Sequence, residues 1–567
     1  MCGFSASNIY NFKSEFCFFE AIEIRGRDGV SSGKILNFNY HFSRLALNDL
    51  STDGLQPIYS HCRKYAILFN GELYNFKALK RQLVSMGIKF LTNTDTEVFI
   101  NLISVWGLDK AISEAQGAFS VAIFDLNNSI IYLFRDGFGE KPLFYSHSSE
   151  GFSFSSCLTS FATLKKISKK NATEFCENGY LTRNKTIFEN VFSVSNHEIL
   201  EYNIENQQLT SRSFQNLFSS KPVSYELEEA INSSVSIMSN ADAKVGIFLS
   251  GGVDSSLIAS ACAEMDLNLK CYSFNTKFYG QNETDPAKNI AKHFGFEHAI
   301  LDLEDVELKD HMDEYIASMT EPNTDPSYFA LFELAKLAGK DVKAVLTGDG
   351  ADELFMGYKR HSLAMALEQS RVLQILLFYL SFAIRCIHTK KFTRTTNIFD
   401  QIYSLLSGQY EDYILKRISR RGKFKKLNLT ELLTVERNTF LLNQVLRKSD
   451  MAGIANGVEV RAPFLMKPVV SASSKYKPKE LNNILLNKRP LRKLLKLKKV
   501  NGLITKGKKG FQLDLQKLLE EELYVWAKTV LSKETLEGIV DQKIAGYDIK
   551  KKWNYIILSA WLDAMRG

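Results

Sequence analysis

Short apolar runs with alternating polar positions dominate the chain from residue 1 to about 205. Two examples are YAILFNGELY and AFSVAIFDL, each bounded by turn-forming residues. Alternation with a period of two predicts half-buried β-strands, and one stretch, Lys77 to Met86, has a helical pattern instead. The pattern therefore predicts stacked antiparallel sheets with few helices, closed by a strand near Glu198 to Tyr202.

After about Ser224 the pattern changes to buried strand-like runs that alternate with helical periods. AKVGIFL precedes VDSSLIASACAEM, LKCYSFNT precedes DPAKNIAKHF, and KAVLTG precedes DGADELF. This alternation is typical of a doubly wound parallel sheet, and the remainder from about Tyr358 is largely helical. We predict two domains, at residues 1–205 and 206–567, with the boundary inside 205–224.

Composition indicates an ordinary globular protein. The chain has 567 residues, is 45% hydrophobic and 24% charged, and contains no low-complexity block. Its eight cysteines include no CxxC pair, which argues against a zinc site or a disulfide framework and favours the reducing cytoplasm. The first residues lack a basic segment followed by an apolar stretch, so we expect no signal peptide.

Charge and apolar runs bear on two classes of partner. The longest apolar run, Val372 to Ile384, is shorter than the ~20 residues of a membrane-spanning helix, and we interpret it as a buried or subunit-facing helix. The net charge of +8 comes from local basic runs, Lys416 to Lys426 and Lys488 to Lys509, without the aromatic interleaving of a nucleic-acid-binding surface. We expect neither membrane nor nucleic-acid binding, and a homodimer stays open.

One glycine-rich segment, Ser250-Gly251-Gly252-Val253-Asp254-Ser255-Ser256, lies where a buried strand meets a helix. Backbone N–H groups and the helix dipole favour an anion there, and two glycines let the backbone close around a phosphate group. Because no lysine follows the glycines, the loop is not the kind that serves γ-phosphate transfer. SGGVDSS resembles the pyrophosphate loop of ATP pyrophosphatases, which cleave ATP between the α and β phosphates. A purely structural turn is the alternative.

A second segment, Thr347-Gly348-Asp349-Gly350-Ala351-Asp352-Glu353, is acidic and follows another strand-like run. Parallel strands end at one edge of the sheet, where ligands bind in such folds. Carboxylates beside a triphosphate repel it unless a cation lies between them, so Asp254 and Asp352 are candidates to hold Mg²⁺. The same acids could cap a helix, and both roles can hold at once.

Cys2 is the candidate nucleophile of the first domain. Removal of Met1 would place a thiol and a free α-amine on the same residue. A thiol titrates near ~8.5 and an α-amine near ~8, so at neutral pH the amine can accept the thiol proton without a histidine. A chance cysteine after the initiator methionine is the alternative.

A series of motifs runs in a fixed order along nearly the whole chain. The first half contains Met1-Cys2-Gly3, Phe69-Asn70-Gly71-Glu72-Leu73-Tyr74-Asn75, Asn93-Thr94-Asp95-Thr96-Glu97 and Lys141-Pro142-Leu143-Phe144-Tyr145. The second half adds SGGVDSS, GDGADELF, Leu446-Arg447-Lys448-Ser449-Asp450-Met451-Ala452 and Val458-Glu459-Val460-Arg461-Ala462-Pro463-Phe464-Leu465. Together these motifs resemble those of glutamine-hydrolysing asparagine synthetases. The resemblance implies an α+β domain, an N-terminal nucleophile αββα sandwich glutaminase, followed by an α/β ATP-pyrophosphatase domain with a doubly wound parallel sheet and a helical C-terminal part.

In the first domain the resemblance implies that Cys2 attacks the side-chain amide of glutamine and releases ammonia. Asn70 and the N–H of Gly71 would hold the oxyanion, a role in which a single donor is worth ~3 to 4 kcal/mol. Arg44 would meet the α-carboxylate of glutamine, and two acids would meet its α-ammonium group. The implied glutamine-binding residues are Arg44, Leu45, Asn70, Gly71, Glu72 and Asp95.

In the second domain the resemblance implies that ATP joins an acceptor carboxylate to AMP, and that ammonia attacks the acyl-adenylate. Asp349 would manage protons during the attack, and Lys508 would stabilise the pyrophosphate or the transition state, with Lys506 and Lys509 as neighbouring alternatives. Because water would protonate ammonia, we expect an enclosed path along the domain interface. The implied ATP-binding residues are Leu249, Ser250, Gly251, Gly252, Asp254, Ser255, Thr276, Thr347 and Gly348.

Several positions depart from the family pattern. Asp349 is shorter than the usual Glu, and Glu140 and Phe144 differ from the commoner RDxxGIKPLYY. The leading hypothesis is synthesis of asparagine from aspartate and glutamine, with glutamate, AMP and pyrophosphate as the other products. The alternatives are the same chemistry on another carboxylate in a surface-polysaccharide or secondary-metabolite pathway, a non-catalytic relative that binds a partner, and a β-lactam-forming cyclase of the same fold.

Overall fold

The structure is a computed structural model that describes residues 2–9, 15–182, 184–214, 225–275, 284–303, 306–369, 429–483, 486–500, 502–504, 515–540 and 548–566. Several sequence predictions concern positions outside these ranges: Thr276, Lys506, Lys508, Lys509, the run Val372 to Ile384 and the run Lys416 to Lys426.

Two antiparallel sheets form the first domain. The strands in its described residues are β1 (Cys2–Ser7), β2 (Gly29–Ile35), β3 (Phe38–Arg44), β4 (Ile58–Tyr59), β5 (Tyr65–Leu73), β6 (Gly117–Asp125), β7 (Ile130–Arg135), β8 (Phe144–Ser148), β9 (Gly151–Ser155), β10 (Phe192–Ser193), β11 (Glu198–Asn203) and β12 (Gln208–Ser213). One sheet has the order β10-β8-β9-β1-β3-β2 and the other β12-β11-β7-β6-β5-β4. Buried aromatic side chains such as Phe4, Phe38 and Phe124 fill the space between the sheets. The predicted sandwich and the strand at Glu198 are confirmed.

Helices cover the outer faces of this sandwich. They are α1 (Glu15–Glu20), α2 (Phe76–Ser85), α3 (Asp95–Trp106), α4 (Leu108–Glu114) and α5 (Lys169–Asn178). The helix expected at Lys77 is confirmed as α2, and the pattern of apolar positions did not reveal the other four. Residues 95–103 are buried on every side, so α3 has no polar face to produce a helical period. The Thr94-x-x-Glu97 pattern was the available signal, since the Thr94 hydroxyl accepts the Glu97 N–H at 3.2 Å.

A five-stranded parallel sheet organises the second domain. Its strands are β13 (Val245–Phe248), β14 (Lys270–Asn275), β15 (His298–Asp302), β16 (Ala344–Leu346) and β17 (Glu459–Arg461), in the order β15-β14-β13-β16-β17. Helices in the described ranges are α6 (Leu227–Ser239), α7 (Val253–Glu264), α8 (Thr284–Phe294), α9 (Leu308–Ala317), α10 (Ser327–Ala338), α11 (Ala351–Phe355), α12 (Lys359–Gln369), α13 (Leu429–Glu436), α14 (Leu446–Ile454), α15 (Lys467–Ser474), α16 (Pro478–Leu481), α17 (Arg489–Leu497), α18 (Leu515–Lys517), α19 (Tyr524–Ser532) and α20 (Ile549–Arg566). Separate apolar clusters cover the two faces of the sheet, so the predicted doubly wound α/β fold is confirmed.

The two domains are in extensive contact. β12 pairs with β11, so the sheet of the first domain continues past residue 205 to Ser213, within the segment where the sequence places the boundary. At the far end of the chain, α20 packs on α5, and Asn554 Nδ2 donates to the Cys176 carbonyl at 3.0 Å. None of the helices in the described ranges is long and apolar enough to cross a membrane.

Candidate functional site

Cys2 lies at the start of β1, directly opposite Arg44 in the register with β3. Its backbone nitrogen donates to Asn70 Oδ1 at 3.3 Å, and Asn70 Nδ2 donates to Ser120 Oγ at 3.3 Å. Burial raises the pKa of the Cys2 thiol, while the positive chain terminus and the backbone of Leu45 oppose that shift. A buried thiol with a raised pKa needs a base close by, and a terminal amine on Cys2 itself would be one.

Two other implied glutamine-binding residues, Gly71 and Arg44, lie on strands β5 and β3, which contact β1. Gly71 follows Asn70 in β5 with φ of +137°, and a Cβ there would lie 2.0 Å from the Ala118 carbonyl oxygen, so only glycine fits. The Arg44 guanidinium is buried and contacts the carbonyls of Asp49 and Ser51. The structure therefore brings the predicted nucleophile, oxyanion donors and arginine together at one edge of the sandwich.

The two acids expected near the substrate ammonium have different surroundings. Asp95 accepts the N–H of Leu73 at 2.8 Å and of Thr96 at 3.0 Å, and burial raises its pKa to about 6. Glu72 instead forms a two-pronged ion pair across the domain interface with Arg461, with N–O distances of 2.8 and 2.6 Å. Its expected contact with glutamine stays a prediction, and it would compete with this ion pair.

Buried charged groups connect the surroundings of Cys2 with the second domain. Arg25 Nε donates to the Cys2 carbonyl at 3.1 Å, and its two terminal nitrogens bind the Asp450 carboxylate at 2.9 and 3.1 Å. The neighbour of Asp450 in α14, Ser449, donates to Asp349 Oδ2 at 2.7 Å. A continuous set of contacts therefore runs from Cys2 to the acid predicted to manage protons.

The predicted phosphate loop has the expected shape. β13 ends at Phe248 and α7 begins at Val253, so residues 249–252 form the turn between them. Ser255 Oγ lies 3.2 Å from the Ser250 nitrogen and accepts its N–H, and Gly251 has φ of +68°. A Cβ on Gly251 would lie 2.7 Å from the Ala287 nitrogen, so the loop packs directly on α8. The open start of α7 is available to an anion.

Asp254 and Asp352 converge on one cation, Lys488, which the sequence reasoning did not single out. Lys488 Nζ lies 2.6 Å from Asp254 Oδ2 and 2.6 Å from Asp352 Oδ1, and its side chain is buried. The carboxylates come from helices α7 and α11, and Lys488 precedes α17. The only sequence signal was its place at the start of a basic run, which does not reveal contacts to residues more than a hundred positions away.

The donor set at this point fits Mg²⁺. Two carboxylates from different elements reach one position, and Asp254 Oδ1 has no hydrogen-bond partner among the described residues. Mg²⁺ is typically held by one or two carboxylates together with phosphate oxygens and water. Within the described ranges, no group of three or more His, Cys, Asp or Glu side chains could hold a metal, so a metal here would depend on the nucleotide for further ligands.

A cavity of about 410 Å³ brings these elements together. The glycine-rich segment and the acidic segment both contribute to its lining, as do residues from α10, α14 and the turn before α17. The predicted residues that line it are Leu249, Ser250, Gly252, Asp254, Ser255, Thr347, Gly348, Asp349 and Asp352. Of the predicted ATP-binding residues that the structure describes, Gly251 alone does not line the cavity, while Thr276 and Lys508 lie outside the described residues.

Further charged groups line this cavity and were not predicted. Lys448 Nζ lies 2.9 Å from Asp325 Oδ2 and 2.8 Å from Ser327 Oγ. Burial and the nearby Asp352 raise the pKa of Glu353 to about 7, although the Tyr358 hydroxyl donates to Glu353 at 2.7 Å. The cavity therefore offers both an ammonium group and carboxyl groups beside the nucleotide loop.

Two protein-family models match the chain. The model described as asparagine synthase matches residues 226–555, and the model described as glutamine amidotransferase domain matches residues 1–215. Among curated proteins, asparagine synthetase [glutamine-hydrolyzing] 1 of Bacillus subtilis (strain 168) is 26% identical over 95% of this chain and 91% of its own length.

Two further relatives match a smaller share. Asparagine synthetase [glutamine-hydrolyzing] 2 of the same bacterium is 28% identical over 63% of this chain and 52% of its own length. Amidase chry2 of Gibberella zeae is 26% identical over 60% of this chain and 54% of its own length.

Proposed function

The chain belongs to the asparagine synthase family, and from this premise we propose that it transfers the amide nitrogen of glutamine to the side-chain carboxylate of aspartate. Members of such a family that also carry a glutamine amidotransferase domain are ATP-dependent, glutamine-hydrolysing ligases. Aspartate as the acceptor is the finer part of the proposal, and the B. subtilis relative named above supports it.

In the proposed glutaminase step, Cys2 attacks the amide carbon of glutamine. The α-amine of the trimmed chain takes the thiol proton, and Asn70 and the Gly71 N–H stabilise the oxyanion. Collapse of the intermediate breaks the C–N bond and releases ammonia, and water then frees glutamate from Cys2. The buried position of the thiol supports this division of roles, because its raised pKa makes an adjacent base necessary.

In the proposed synthetase step, the aspartate carboxylate attacks the α-phosphate of ATP and pyrophosphate leaves. Ser250, Ser255 and the N–H groups at the start of α7 bind and orient the phosphates. Asp254 and Asp352 would hold Mg²⁺, which when bound supplies positive charge beside the pyrophosphate. Ammonia then attacks the acyl-adenylate, AMP leaves, and Asp349 accepts a proton.

One observation carries the proposal most directly. The contacts from the Cys2 carbonyl through Arg25 and Asp450 reach the helix whose Ser449 holds Asp349. The two candidate sites therefore share a buried, ordered interface that can keep ammonia away from water. We propose that ammonia passes along this interface.

The same chemistry on another carboxylate is the second candidate. Asp349 is one methylene shorter than the family's usual Glu, and it lines the cavity of about 410 Å³ that contains the phosphate loop. The cytoplasmic location and the homodimer stay predictions.

The test is a panel of carboxylic acids incubated with ATP, Mg²⁺ and glutamine, with pyrophosphate release as the readout. We expect aspartate to give the highest kcat/KM. Cys2→Ala should abolish glutamine-dependent synthesis and retain synthesis from added ammonium. A higher kcat/KM with another acid would replace aspartate as the acceptor, and loss of both nitrogen sources in Cys2→Ala would contradict two separable sites.

A further inference from the structure

One ion pair has no role in the steps described above, although both of its members line the cavity of about 410 Å³ that contains the phosphate loop, the nucleotide cavity. Lys448 Nζ lies 2.9 Å from Asp325 Oδ2. The two side chains are 16% and 25% exposed, so they are only partly buried. A molecule that enters the nucleotide cavity can therefore reach a positive and a negative group side by side.

The pair retains hydrogen-bonding capacity for such a molecule. Among the described residues, the contacts of Lys448 with Asp325 Oδ2 and with Ser327 Oγ, at 2.8 Å, use two of its three N–H donors. Asp325 Oδ1 accepts the N–H and the hydroxyl of Ser327 at 3.0 and 2.7 Å, and Oδ2 accepts from Lys448. Since a carboxylate oxygen can accept two hydrogen bonds, Oδ2 and the Lys448 ammonium group can each form one more.

Both members of the pair are charged at neutral pH. Burial opposes the charge of Asp325, but Lys448 and Ser327 outweigh that effect and lower the pKa of Asp325 below its ordinary value. The pair therefore presents a carboxylate beside an ammonium group, which is the charge pattern that complements a zwitterion.

The position of the pair is close to the groups of the proposed amide-forming step. Lys448 directly precedes Ser449 in α14, and Ser449 donates to Asp349 Oδ2 at 2.7 Å. Asp325 comes just before α10, which begins at Ser327 and packs against α14. A molecule bound to the pair would thus lie in the same cavity as the phosphate loop and the acid proposed to accept a proton.

The other cations of the nucleotide cavity are associated with the phosphate loop. Among its described lining residues, the lysine and arginine side chains are Lys448, Lys488 and Arg492. Lys488 Nζ lies 2.6 Å from Asp254 Oδ2 at the start of α7. Arg492 follows one helical turn later, with its N–H on the Lys488 carbonyl at 3.0 Å, and the charge of Asp254 acts on it. Lys448 is therefore the cation that remains for the acceptor.

We propose that Lys448 and Asp325 recognise the α-amino-acid end of the acceptor. Lys448 donates to its α-carboxylate, and Asp325 accepts from its α-ammonium group. The side-chain carboxylate of aspartate then stays free to attack ATP. The pair selects a zwitterionic α-amino acid over a simple carboxylic acid, and this inference rests on the proposed function because it concerns the acceptor of the same reaction.

Two analogues of aspartate each lack one of the recognised groups. 3-Aminopropanoate lacks the α-carboxylate, and succinate lacks the α-ammonium group. The full-length enzyme is assayed with each acid, ATP, Mg²⁺ and glutamine, with pyrophosphate release as the readout. We expect the wild type to prefer aspartate over each analogue by at least about tenfold in kcat/KM, the effect of losing a hydrogen bond to a charged group.

The two substitutions should each remove a different preference. Lys448→Met should reduce the preference for aspartate over 3-aminopropanoate to within about threefold and keep the preference over succinate. Asp325→Asn should do the reverse. Lys448→Arg keeps the positive charge and should keep part of the first preference.

Lys336→Met is the matched control, because Lys336 lies on α10 but pairs with Glu314 at an exposed position outside the nucleotide cavity. It should change neither preference. Glutamine hydrolysis at Cys2 should persist in every variant and reports that the chain is folded, and the wild-type preferences test the inference even if a variant does not fold.

A wild type that accepts either analogue as well as aspartate would overturn the inference while the proposed function stands. The same conclusion would follow if Lys448→Met and Asp325→Asn lowered kcat/KM equally for all three acids, since a merely structural role has that effect. A wild type with its highest kcat/KM for an acid that lacks the α-amino-acid group would overturn both the inference and aspartate as the acceptor.

Discussion

The ion pair between Arg461 and Glu72, like that between Arg25 and Asp450, is a buried, two-pronged contact between the two domains. Arg461 is 1% exposed, and its guanidinium binds both Glu72 oxygens and the Met238 carbonyl. Burial opposes its charge, but Glu72 and Glu459 outweigh that effect and raise the pKa of Arg461. Arg461→Met would leave the Glu72 carboxylate buried with Asn48 as its remaining donor, at 3.1 Å.

We expect Arg461→Met to lower the free energy of unfolding by about 3 to 5 kcal/mol, the usual cost of removing one partner of a buried pair. Equilibrium urea unfolding, followed by tryptophan fluorescence, measures this change in the first cooperative transition. The double variant Arg461→Met/Glu72→Gln should recover about 1 to 3 kcal/mol, because it no longer leaves a buried charge unpaired.

A second interdomain pair provides the control. Lys343 Nζ lies 2.6 Å from Asp28 Oδ2, but these side chains are 40% and 28% exposed. Lys343→Met should therefore cost less than about 1 kcal/mol. Equal destabilisation by Lys343→Met and Arg461→Met would refute the argument that burial sets the strength of these contacts.

Three further predictions concern the two sites. Lys488→Met should lower the melting temperature, because Asp254 and Asp352 lose their shared cation. Saturating Mg²⁺ with ATP should then raise the melting temperature of this variant more than that of the wild type. Lys498→Met, at a partly exposed pair with Glu228, is the control, and an equal response in both variants would contradict the shared site. In the Cys2→Ala background, the Kd for glutamine measured by calorimetry should rise by up to about tenfold per pH unit below about pH 6, because protonation removes the negative charge of Asp95. A Kd independent of pH between 5 and 7, or the same pH dependence in Asp95→Asn, would exclude a role of Asp95 in binding glutamine. Gly251→Ala should destabilise the protein by about 1 to 3 kcal/mol, because Gly251 has a positive φ and its added Cβ would lie 2.7 Å from the Ala287 nitrogen in α8. Gly252→Ala, at a residue with φ of −80°, should cost less than about 1 kcal/mol in the same unfolding assay. Equal costs would contradict the close packing of Gly251 on α8.

The sequence predicted best where local chemistry and element order coincide. SGGVDSS between a buried strand and a helix was correctly placed at the carboxyl end of β13, and Asp254 and Asp352 do meet, because parallel strands bring their ends to one edge. The alternation of apolar and polar residues likewise identified the sandwich, since each strand has one face on the core.

What the sequence did not reveal depends on contacts between distant residues. Lys488 contacts Asp254, which is 234 positions away, and Arg461 contacts Glu72, which is 389 positions away. The local spacing of apolar and polar residues does not predict such contacts. Helix α3 escaped prediction for a different reason, because burial on all sides removes the polar stripe that marks a helix.

The most direct test follows labelled nitrogen through one turnover. The chain with Cys2 as its first residue is incubated with glutamine carrying ¹⁵N in its amide, ATP, Mg²⁺ and aspartate, and the products are identified by mass spectrometry. The account predicts asparagine with ¹⁵N in its side-chain amide, formed together with equal amounts of AMP and pyrophosphate. Formation of ADP and phosphate instead, or hydrolysis of glutamine without ¹⁵N in any amide product, would contradict it.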